Sequence, residues 1–240
     1  MNELEIQTTV GQMVVERPQR SRVFDRLHID YCCGGKRTLE EACAKRGLDL
    51  KAVLAELEAF DAEANTQPDT VRPANLTMTE LADDIEQTHH AYLREELPRL
   101  GDLVKKVSAV HGQAHPWLTG LTSVYAELVA ELEPHMLKEE QILFPMIREL
   151  DQATTAPSFH CGSVGNPIRM MEMEHQNAGA ALDRIREMTT DYEIPEGACN
   201  SFRAMLSGLE HLEADLHLHI HKENEILFPK ASEMEAKLGS

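Results

Sequence analysis

One eleven-residue pattern occurs twice in this chain, and its spacing constrains the fold more than any other feature. The segment His135-Met-Leu-Lys-Glu-Glu-Gln-Ile-Leu-Phe-Pro145 returns as His219-Ile-His-Lys-Glu-Asn-Glu-Ile-Leu-Phe-Pro229. In each copy a His and a Glu stand four residues apart, so on an α-helix the imidazole and the carboxylate lie on the same face. Two such pairs facing each other supply ligands for a pair of metal ions. The Ile-Leu-Phe-Pro segments are predicted to be core and helix-bend residues.

The repeat extends to the helix that precedes each copy. His90 lies 45 residues before His135, and His175 lies 44 residues before His219. Two halves stacked with pseudo-two-fold symmetry place four His and two Glu in the core of a four-helix bundle, where such proteins build di-metal sites. The candidate ligands are His90, His135, Glu139, His175, His219 and Glu223. Periodicity alone does not separate His90 from His89, but the spacing between the halves favours His90.

The ligand types indicate which metal the site takes. Imidazole and carboxylate without thiolate favour iron or manganese over a structural zinc site. If Glu139 and Glu223 each bridge both metals, each metal has two carboxylate oxygens and two imidazoles. The positions that octahedral iron leaves open can hold an oxo or hydroxo bridge, water or a small diatomic ligand.

The apolar periodicity predicts four long amphipathic helices after residue 75. Thr77-Met-Thr-Glu80 is a capping box for the first, which runs to about His111, and the second covers about 117–150 with Ile142 on its apolar stripe. The third begins near residue 166 and the fourth follows Pro195. No run alternates with period two, so strands are not expected. The sequence predicts an all-α fold with a small helical N-terminal domain (1–60), a polar linker (61–75) and an antiparallel four-helix bundle (76–240).

The N-terminal domain is predicted to consist of short helices around a cysteine-containing loop. Thr38-Leu-Glu-Glu41 is a capping box for a helix that Gly47 can close, and Asp49 can cap the next helix. The preceding loop, Asp30-Tyr-Cys-Cys-Gly-Gly35, is expected to expose Cys32 and Cys33, with the helix start at Thr38 favouring their thiolate forms. They are candidate functional thiols, the alternative being two thiols packed in the domain. Cys43 and Cys199 are predicted core residues.

Composition and charge exclude several classes of protein. Lys and Arg total 23 against 41 Asp and Glu, a net charge of −18, which would repel nucleic acids and anionic membranes. No signal-peptide pattern opens the chain, and no apolar run approaches the roughly 20 residues of a membrane helix. Five cysteines, two of them adjacent, do not suit a secreted disulfide framework, so a cytoplasmic protein with reduced thiols is expected.

Three carboxylates lie beside the candidate ligands in the sequence. Glu131 and Asp215 each lie four residues before the His of a repeat copy, and Glu174 immediately precedes His175. Each could hold the second N–H of a ligand imidazole, relay protons or guide iron, and each could equally be a solvated surface carboxylate. The other histidines are predicted surface or capping residues: His111, His115, His160, His211, His217 and His221.

Taken together, these motifs resemble the repair-of-iron-centres family of di-iron proteins over nearly all 240 residues. The segments that carry the resemblance, besides the two repeat copies, are Asp30-Tyr-Cys-Cys-Gly-Gly-Lys36, Leu39-Glu-Glu-Ala-Cys43, Arg94-Glu-Glu-Leu-Pro98 and Met171-Glu-Met-Glu-His175. The Cys-Cys-Gly-Gly motif is highly specific when it is joined to a hemerythrin-like bundle.

The resemblance implies a hemerythrin-like bundle with two non-haem iron ions bridged by carboxylates and by an oxo or hydroxo group. In that family the ligand His of the first helix lies seven residues before a Leu-Pro pair, so Leu97-Pro98 points to His90. The family pattern then gives the same six ligands as the repeat. It also implies that the acidic residues matching Glu131 and Glu174 line a route to the site. Oxygen-carrying hemerythrins use five histidines, so four make simple oxygen carriage less favoured.

Three functional hypotheses share this site. The favoured one is repair of iron–sulfur clusters damaged by nitric oxide or peroxide, in which labile iron leaves the reduced centre and the N-terminal thiols assist transfer or docking. The second is a nitric oxide reductase that forms nitrous oxide, and the third is an oxygen or nitric oxide sensor that signals through the N-terminal domain. The expected partners are damaged iron–sulfur proteins and diatomic gases, for a monomer or homodimer with no nucleic-acid or membrane partner.

Overall fold

The computed structural model of the chain describes residues 8–64 and 73–239. Helices dominate both ranges, and within them no strand forms beyond an isolated bridge between Thr9 and Thr38. The predicted all-α class is confirmed. None of the helices in the described ranges is long and apolar enough to cross a membrane.

Within residues 8–64 the N-terminal part contains four α-helices: α1 Val10–Glu16, α2 Ser21–Arg26, α3 Leu39–Arg46 and α4 Leu50–Ala64. The Thr38 capping box is present, and Gly47 closes α3 in the left-handed conformation with φ 69°. Asp49 accepts the Lys51 N–H at 3.0 Å at the start of α4. Because α4 continues through Ala64, residues 61–64 of the predicted linker are helical. Its residues 65–72 lie outside the described ranges, so the linker and the domain boundaries stay predictions.

The bundle contains four long helices, three of which include a π-helical segment. They are α5 Met78–Ile85, π Glu86–His90 and α6 Ala91–His111; α7 Trp117–Lys138, π Glu139–Leu143 and α8 Phe144–Gln152; α9 Gly165–Met188; and α10 Asn200–His221, π Lys222–Leu227 and α11 Phe228–Leu238. Thr77 caps α5 through the predicted capping box with Glu80. Helices α6, α7, α9 and α10 form a closed ring in which each packs against two neighbours.

Two apolar cores fill the bundle, with a polar layer between them. One core contains Leu93, Leu132, Ala178 and Leu216 among others. The second core lies at the other end, among α5, α8, α11 and the start of α9. Each candidate ligand His comes from the stretch of helix between residues of the first core and residues of the second. The polar layer is therefore shielded from water at both ends.

The π segments change which side chains face the core. Ile142 is 42% exposed, so the prediction that it lies on the apolar stripe is wrong. A π-helix turns less per residue than the about 100° of an α-helix, so Ile142 does not rotate back to the face that Glu139 occupies. Ile226, its counterpart in the second copy, is buried, with α1 packed against the same core.

The N-terminal helices pack directly against the bundle. Their core, which includes Phe24, Tyr31 and Leu39, is continuous with Ile220 of α10. This contact brings the cysteine loop against the helices that carry His175, His219 and Glu223.

Candidate metal centre

The six candidate ligands lie together in the polar layer of the bundle. All are buried, with exposures between 0% and 3%. They form two overlapping groups able to hold a cation: His90, His219, Glu139 and Glu223, and His135, His175, Glu139 and Glu223. Both carboxylates belong to both groups, which is the arrangement of two bridging ligands.

The carboxylate oxygens divide between the two groups of imidazoles. In Glu139, Oε2 lies 3.3 Å from Nε2 of His90 and Oε1 lies 3.4 Å from Nε2 of His135. In Glu223, Oε1 lies 3.3 Å from Nε2 of His219 and Oε2 lies 3.0 Å from Nε2 of His175. Ligand atoms about 2.1 Å from a shared cation stand about 3.0 to 3.4 Å apart at octahedral to tetrahedral angles, so the spacing fits two metal ions.

The oxygen atoms of both carboxylates also fit cation binding. All four are buried without a hydrogen-bond partner. Burial and the facing Glu223 raise the pKa of Glu139 well above its ordinary value, whereas His219 and His175 lower the pKa of Glu223 well below its ordinary value against the effect of burial. An unpaired buried carboxylate is costly, and coordination to a cation removes that cost. The residues present therefore fit a pair of metal ions.

Two ligand imidazoles are held by residues at the same position of the repeat. Nδ1 of His90 lies 2.6 Å from Glu140 Oε1, and Nδ1 of His175 lies 2.9 Å from Asn224 Oδ1. Glu140 and Asn224 each directly follow the Glu of a repeat copy. Holding Nδ1–H leaves the Nε2 lone pair directed at the centre. Arg94 pairs with Glu140 and, with His90, lowers its pKa against the opposing effect of burial.

The other two imidazoles differ from each other. Nδ1 of His135 lies 2.9 Å from Glu174, which also pairs with Lys138. Nδ1 of His219 is buried without a partner, and its ring stacks on His89 at 5.3 Å. His89 precedes His90 as Glu174 precedes His175, so His89 and Glu174 occupy equivalent positions in the two halves of the repeat. The equivalent imidazoles of His219 and His135 therefore have different neighbours.

Two protein-family domains match this chain. Residues 6–61 match the ScdA_N domain, described as a domain of unknown function, and residues 81–231 match the hemerythrin HHE cation-binding domain. The chain is also 37% identical over 224 residues to the iron-sulfur cluster repair protein YtfE of Yersinia pestis (strain Pestoides F) and to that of Yersinia pseudotuberculosis serotype IB (strain PB1/+). Each match covers 93% of this chain and 96% of the relative.

The chain belongs to the YtfE family. This membership confirms the resemblance drawn from the sequence, and the hemerythrin match confirms a hemerythrin-like, cation-binding bundle.

The three carboxylates predicted beside the ligands of this YtfE-family chain, Glu131, Glu174 and Asp215, have different relations to the ligand imidazoles. Glu174 lies beside His135, as described, and Lys138 and His135 lower its pKa against the effect of burial. Asp215 does not contact His219; it accepts from Nδ1 of His89 at 2.8 Å. Glu131 is exposed and holds no imidazole, but it lines a small cavity of about 10 Å³ beside His135 and Glu174.

The cysteine loop of the YtfE-family chain lies against the main chain of the candidate ligand His175. Cys33 Sγ is 3.3 Å from the His175 carbonyl oxygen, and Asn224 Nδ2 donates to the Cys32 carbonyl at 3.4 Å. Cys32 is only 3% exposed, so the expectation that both thiols are exposed is wrong for Cys32, while Cys33 is half-buried. The two thiols affect each other, since their mutual hydrogen bond raises the pKa of Cys32 and lowers that of Cys33.

Docking of the N-terminal helices also corrects two histidine predictions. His221 is buried rather than on the surface, and its Nδ1 faces the Tyr31 carbonyl at 3.4 Å. His217 is partly buried and pairs with Asp25 at 3.0 Å. Among the cysteines, Cys43 is buried as predicted, but Cys199 is exposed at the start of α10.

Each π segment of the described bundle carries a candidate ligand. Glu86–His90 ends on His90, Glu139–Leu143 begins with Glu139, and Lys222–Leu227 contains Glu223. Such segments are frequent at functional sites because they reposition side chains locally. Sequence periodicity did not reveal them, although the Phe-Pro pair follows two of the three directly.

Proposed function

We propose that the centre holds two iron ions. His90 and His219 would bind one, His135 and His175 the other, and Glu139 and Glu223 would bridge them. The observation that carries this proposal is the division of both carboxylates between the two imidazole pairs, with all four oxygens otherwise unpaired. A thiolate-free set of imidazoles and carboxylates suits iron, which supplies one-electron redox chemistry and exchangeable ligand positions.

The protein's role that fits this centre is repair of iron–sulfur clusters damaged by nitrosative or oxidative stress, with iron as the cargo. The name of the YtfE relatives supports this role. Four imidazoles and two bridging carboxylates would leave positions on each iron for exchangeable ligands. We place this work in the cytoplasm, where the Cys32–Cys33 pair stays reduced, with damaged iron–sulfur proteins as partners.

Some residues of the chain would hold the iron and others would serve its release. Glu140, Asn224 and Glu174 fix three of the imidazoles. Glu131 and Glu174 flank the small cavity and are candidates for the iron route. Cys32 and Cys33 stand behind His175, and we propose that they take part in transfer or docking.

Reactivation of a damaged enzyme tests this proposal. The iron-loaded protein is mixed with a hydratase whose [4Fe–4S] cluster has been nitrosylated, beside an equal amount of free ferrous iron. We expect faster reactivation with the protein and no gain with a metal-free Glu139→Ala, Glu223→Ala variant. Equal rates for the protein and the free iron would refute iron donation.

A second candidate function is reduction of nitric oxide to nitrous oxide. The feature that favours it is the pair of carboxylates, Glu131 and Glu174, that line the small cavity beside the ligand histidines, since the reaction consumes protons. Joining two nitric oxide molecules takes two electrons from an external donor and two protons, and releases nitrous oxide and water. Glu131 and Glu174 are the carboxylates at that cavity and would supply the protons.

Gas chromatography separates the two functions. The reduced protein is given nitric oxide with excess electron donor, and nitrous oxide is counted per chain. Many turnovers would establish the reductase, and a yield below one nitrous oxide per chain would leave iron donation as the function of the centre.

A further inference from the structure

The loop that carries the two cysteines contains a second cluster of metal-ligating side chains. Asp30, Cys32 and Cys33 each offer one ligand atom, and these atoms all lie within 4.8 Å of one another. Cys32 Sγ is 3.9 Å from Cys33 Sγ and 3.6 Å from Asp30 Oδ1. This cluster uses none of the six residues of the bundle centre.

These separations match the edges of a tetrahedral site. Two sulfurs about 2.3 Å from one cation stand about 3.8 Å apart, and a sulfur and an oxygen at about 2.3 and 2.0 Å stand about 3.5 Å apart. The sulfur pair and the sulfur–oxygen pair therefore already have the right spacing. The conformation of the loop therefore brings both sulfurs and the carboxylate to one point.

The absence of a side chain at Gly34 leaves room for the Asp30 carboxylate beside the thiols. A Cβ atom at Gly34 would lie 2.6 Å from Asp30 Oδ2, so any larger residue would push the carboxylate away from the thiols. Asp30 is otherwise fixed by the Gly34 N–H, which donates to Oδ1 at 2.8 Å, and by Arg37, 3.7 Å from Oδ2. These contacts hold Oδ1 beside Cys32, whose thiol also donates to it, and loss of that thiol proton frees a lone pair of Oδ1 for a cation.

The fourth side of the cluster faces open space. Asp30, Cys32 and Cys33 line a cavity of about 380 Å³ between the N-terminal helices and α9 and α10, with His217 in the same lining. Three protein ligands with an open fourth position are typical of sites that exchange a ligand rather than of closed structural sites.

We propose that Asp30, Cys32 and Cys33 bind one divalent cation of borderline softness, such as Fe²⁺, Zn²⁺ or Co²⁺, with the fourth position open to the cavity. Thiolates select these cations over Mg²⁺ or Ca²⁺. Binding replaces two thiol protons, so each cation releases two protons, and the loaded site carries a net charge of −1. The site stands whether or not the protein donates iron; its use as an acceptor for iron leaving the bundle rests on the proposed function.

Cobalt is a suitable probe because a sulfur-to-cobalt charge-transfer band reports only thiolate ligands. The full-length protein, with its bundle centre loaded with iron and its thiols reduced, is titrated anaerobically with Co²⁺. We expect one cobalt per chain, intense visible bands of tetrahedral Co²⁺ and release of two protons. Absence of the charge-transfer band would overturn the proposal.

Variants identify the ligands. Loss of an outer-shell partner already weakens metal binding about 10- to 100-fold, so Cys33→Ser, which removes a ligand, should weaken cobalt binding at least about tenfold. At saturating cobalt its charge-transfer band should be weaker, since Cys32 supplies the one remaining thiolate. Asp30→Asn, which can still accept the Gly34 N–H, should weaken binding about tenfold while the band remains. Cys199→Ser, at an exposed thiol remote from the loop, should bind cobalt as the unaltered protein does. Unchanged affinity in Cys33→Ser or in Asp30→Asn would refute the three-ligand assignment.

Two further measurements keep the result decisive. Cys33 contacts His175, so the iron content of the bundle and the helix content are measured for each variant. If Cys33→Ser loses bundle iron, the conclusion is drawn from Asp30→Asn, whose side chain touches no bundle ligand. Cobalt binding by a protein that fails to reactivate damaged clusters would refute repair and leave this site intact. Repair activity without cobalt binding would refute this site alone.

Discussion

Asn224 Oδ1 accepts from Nδ1 of His175 at 2.9 Å, and the same amide donates to the Cys32 carbonyl at 3.4 Å. One side chain therefore holds a candidate metal ligand and the cysteine loop together. The N-terminal helices are coupled to the bundle centre through this contact and through Cys33, which lies against the backbone of the same histidine.

Replacing Asn224 with Ala should weaken iron binding. The change removes the acceptor for a buried N–H and frees the His175 ring to rotate, so we expect the affinity for iron to fall about 10- to 100-fold. Competition with a coloured chelator measures it. Asn177→Ala, at an exposed position two residues after His175, is the matched control and should leave the affinity unchanged. An Asn224→Ala protein with the original affinity would show that the contact does not orient the ligand.

The two iron ions of the proposed centre should leave at different rates. In one imidazole pair His219 lacks an Nδ1 partner, whereas both members of the other pair have one, Glu174 for His135 and Asn224 for His175. We expect a chelator to remove iron in two phases, with the iron of His90 and His219 leaving first. Glu174→Gln removes the charge beside His135 and should speed the slow phase about tenfold.

The control for this experiment is Glu172→Gln on the same helix. Glu172 pairs with Lys36 at 3.6 Å rather than with a ligand, so both phases should keep their rates. A single phase in the unaltered protein, with two irons lost together, would contradict the proposed inequality.

The repeat explains how much of the centre could be predicted from sequence. The i, i+4 spacing identifies His135 with Glu139 and His219 with Glu223 because residues four apart share a helix face. The spacing between the halves then selects His90 over His89, and the structure brings His90 into the cluster while His89 lies beside it.

Helix periodicity does not identify most of the residues that hold the imidazoles, because those residues lie off the face that carries the ligands. Glu140 and Asn224 directly follow a ligand Glu, about 100° around an ideal helix, so a search for residues on the ligand face passes over them. They act instead on the imidazole of the neighbouring helix. Comparison of the two copies could have found them, because both occupy the same repeat position.

Burial of Cys32 and His221 depends on contacts distant in sequence. Cys32 lies in a Gly-rich turn and His221 on a polar stretch of helix, and both patterns ordinarily indicate a surface. The N-terminal core closes over α10 at Ile220 and covers both. Periodicity within one element carries no information about which other element will cover it.

Removal of metal from the proposed centre should destabilise the protein. Without a cation, four buried carboxylate oxygens of Glu139 and Glu223 have no partner. Chelation should therefore lower the urea midpoint of unfolding, since a ligand bound only to the folded state stabilises it. The double variant Glu139→Gln, Glu223→Gln should bind no iron, and its midpoint should not respond to the chelator.

Glu131 should affect the rate of metal loading but not the amount bound. It is exposed at the cavity beside His135 and touches no imidazole, so Glu131→Gln should leave two irons per chain and slow loading a few-fold through loss of charge at the mouth. Stopped-flow absorbance with ferrous iron measures the rate. Glu133→Gln, an exposed carboxylate two residues away that does not line the cavity, is the control. Equal rates for the two variants would remove Glu131 from the route.

Glu225 should make the stability of the protein depend on pH. It packs against the backbone of the N-terminal part, where a Cβ at Gly11 would lie 2.6 Å from its carboxyl carbon. Burial raises its pKa from 4.5 to about 7. Between these values the folded state binds more protons than the unfolded state, so this group lowers stability as pH rises from 4.5 to 7 and has a constant effect above 7.

Glu225→Gln keeps the shape and removes this dependence. After allowance for partial exposure, we expect the variant to be about 1–2 kcal/mol more stable than the unaltered protein at pH 8, with the difference vanishing below pH 4.5. Urea unfolding at pH 4, 6 and 8 measures both proteins. Glu233→Gln, at an exposed position of α11, should show no such trend. A difference that is the same at all three pH values would mean that the carboxyl of Glu225 ionises normally in the folded protein.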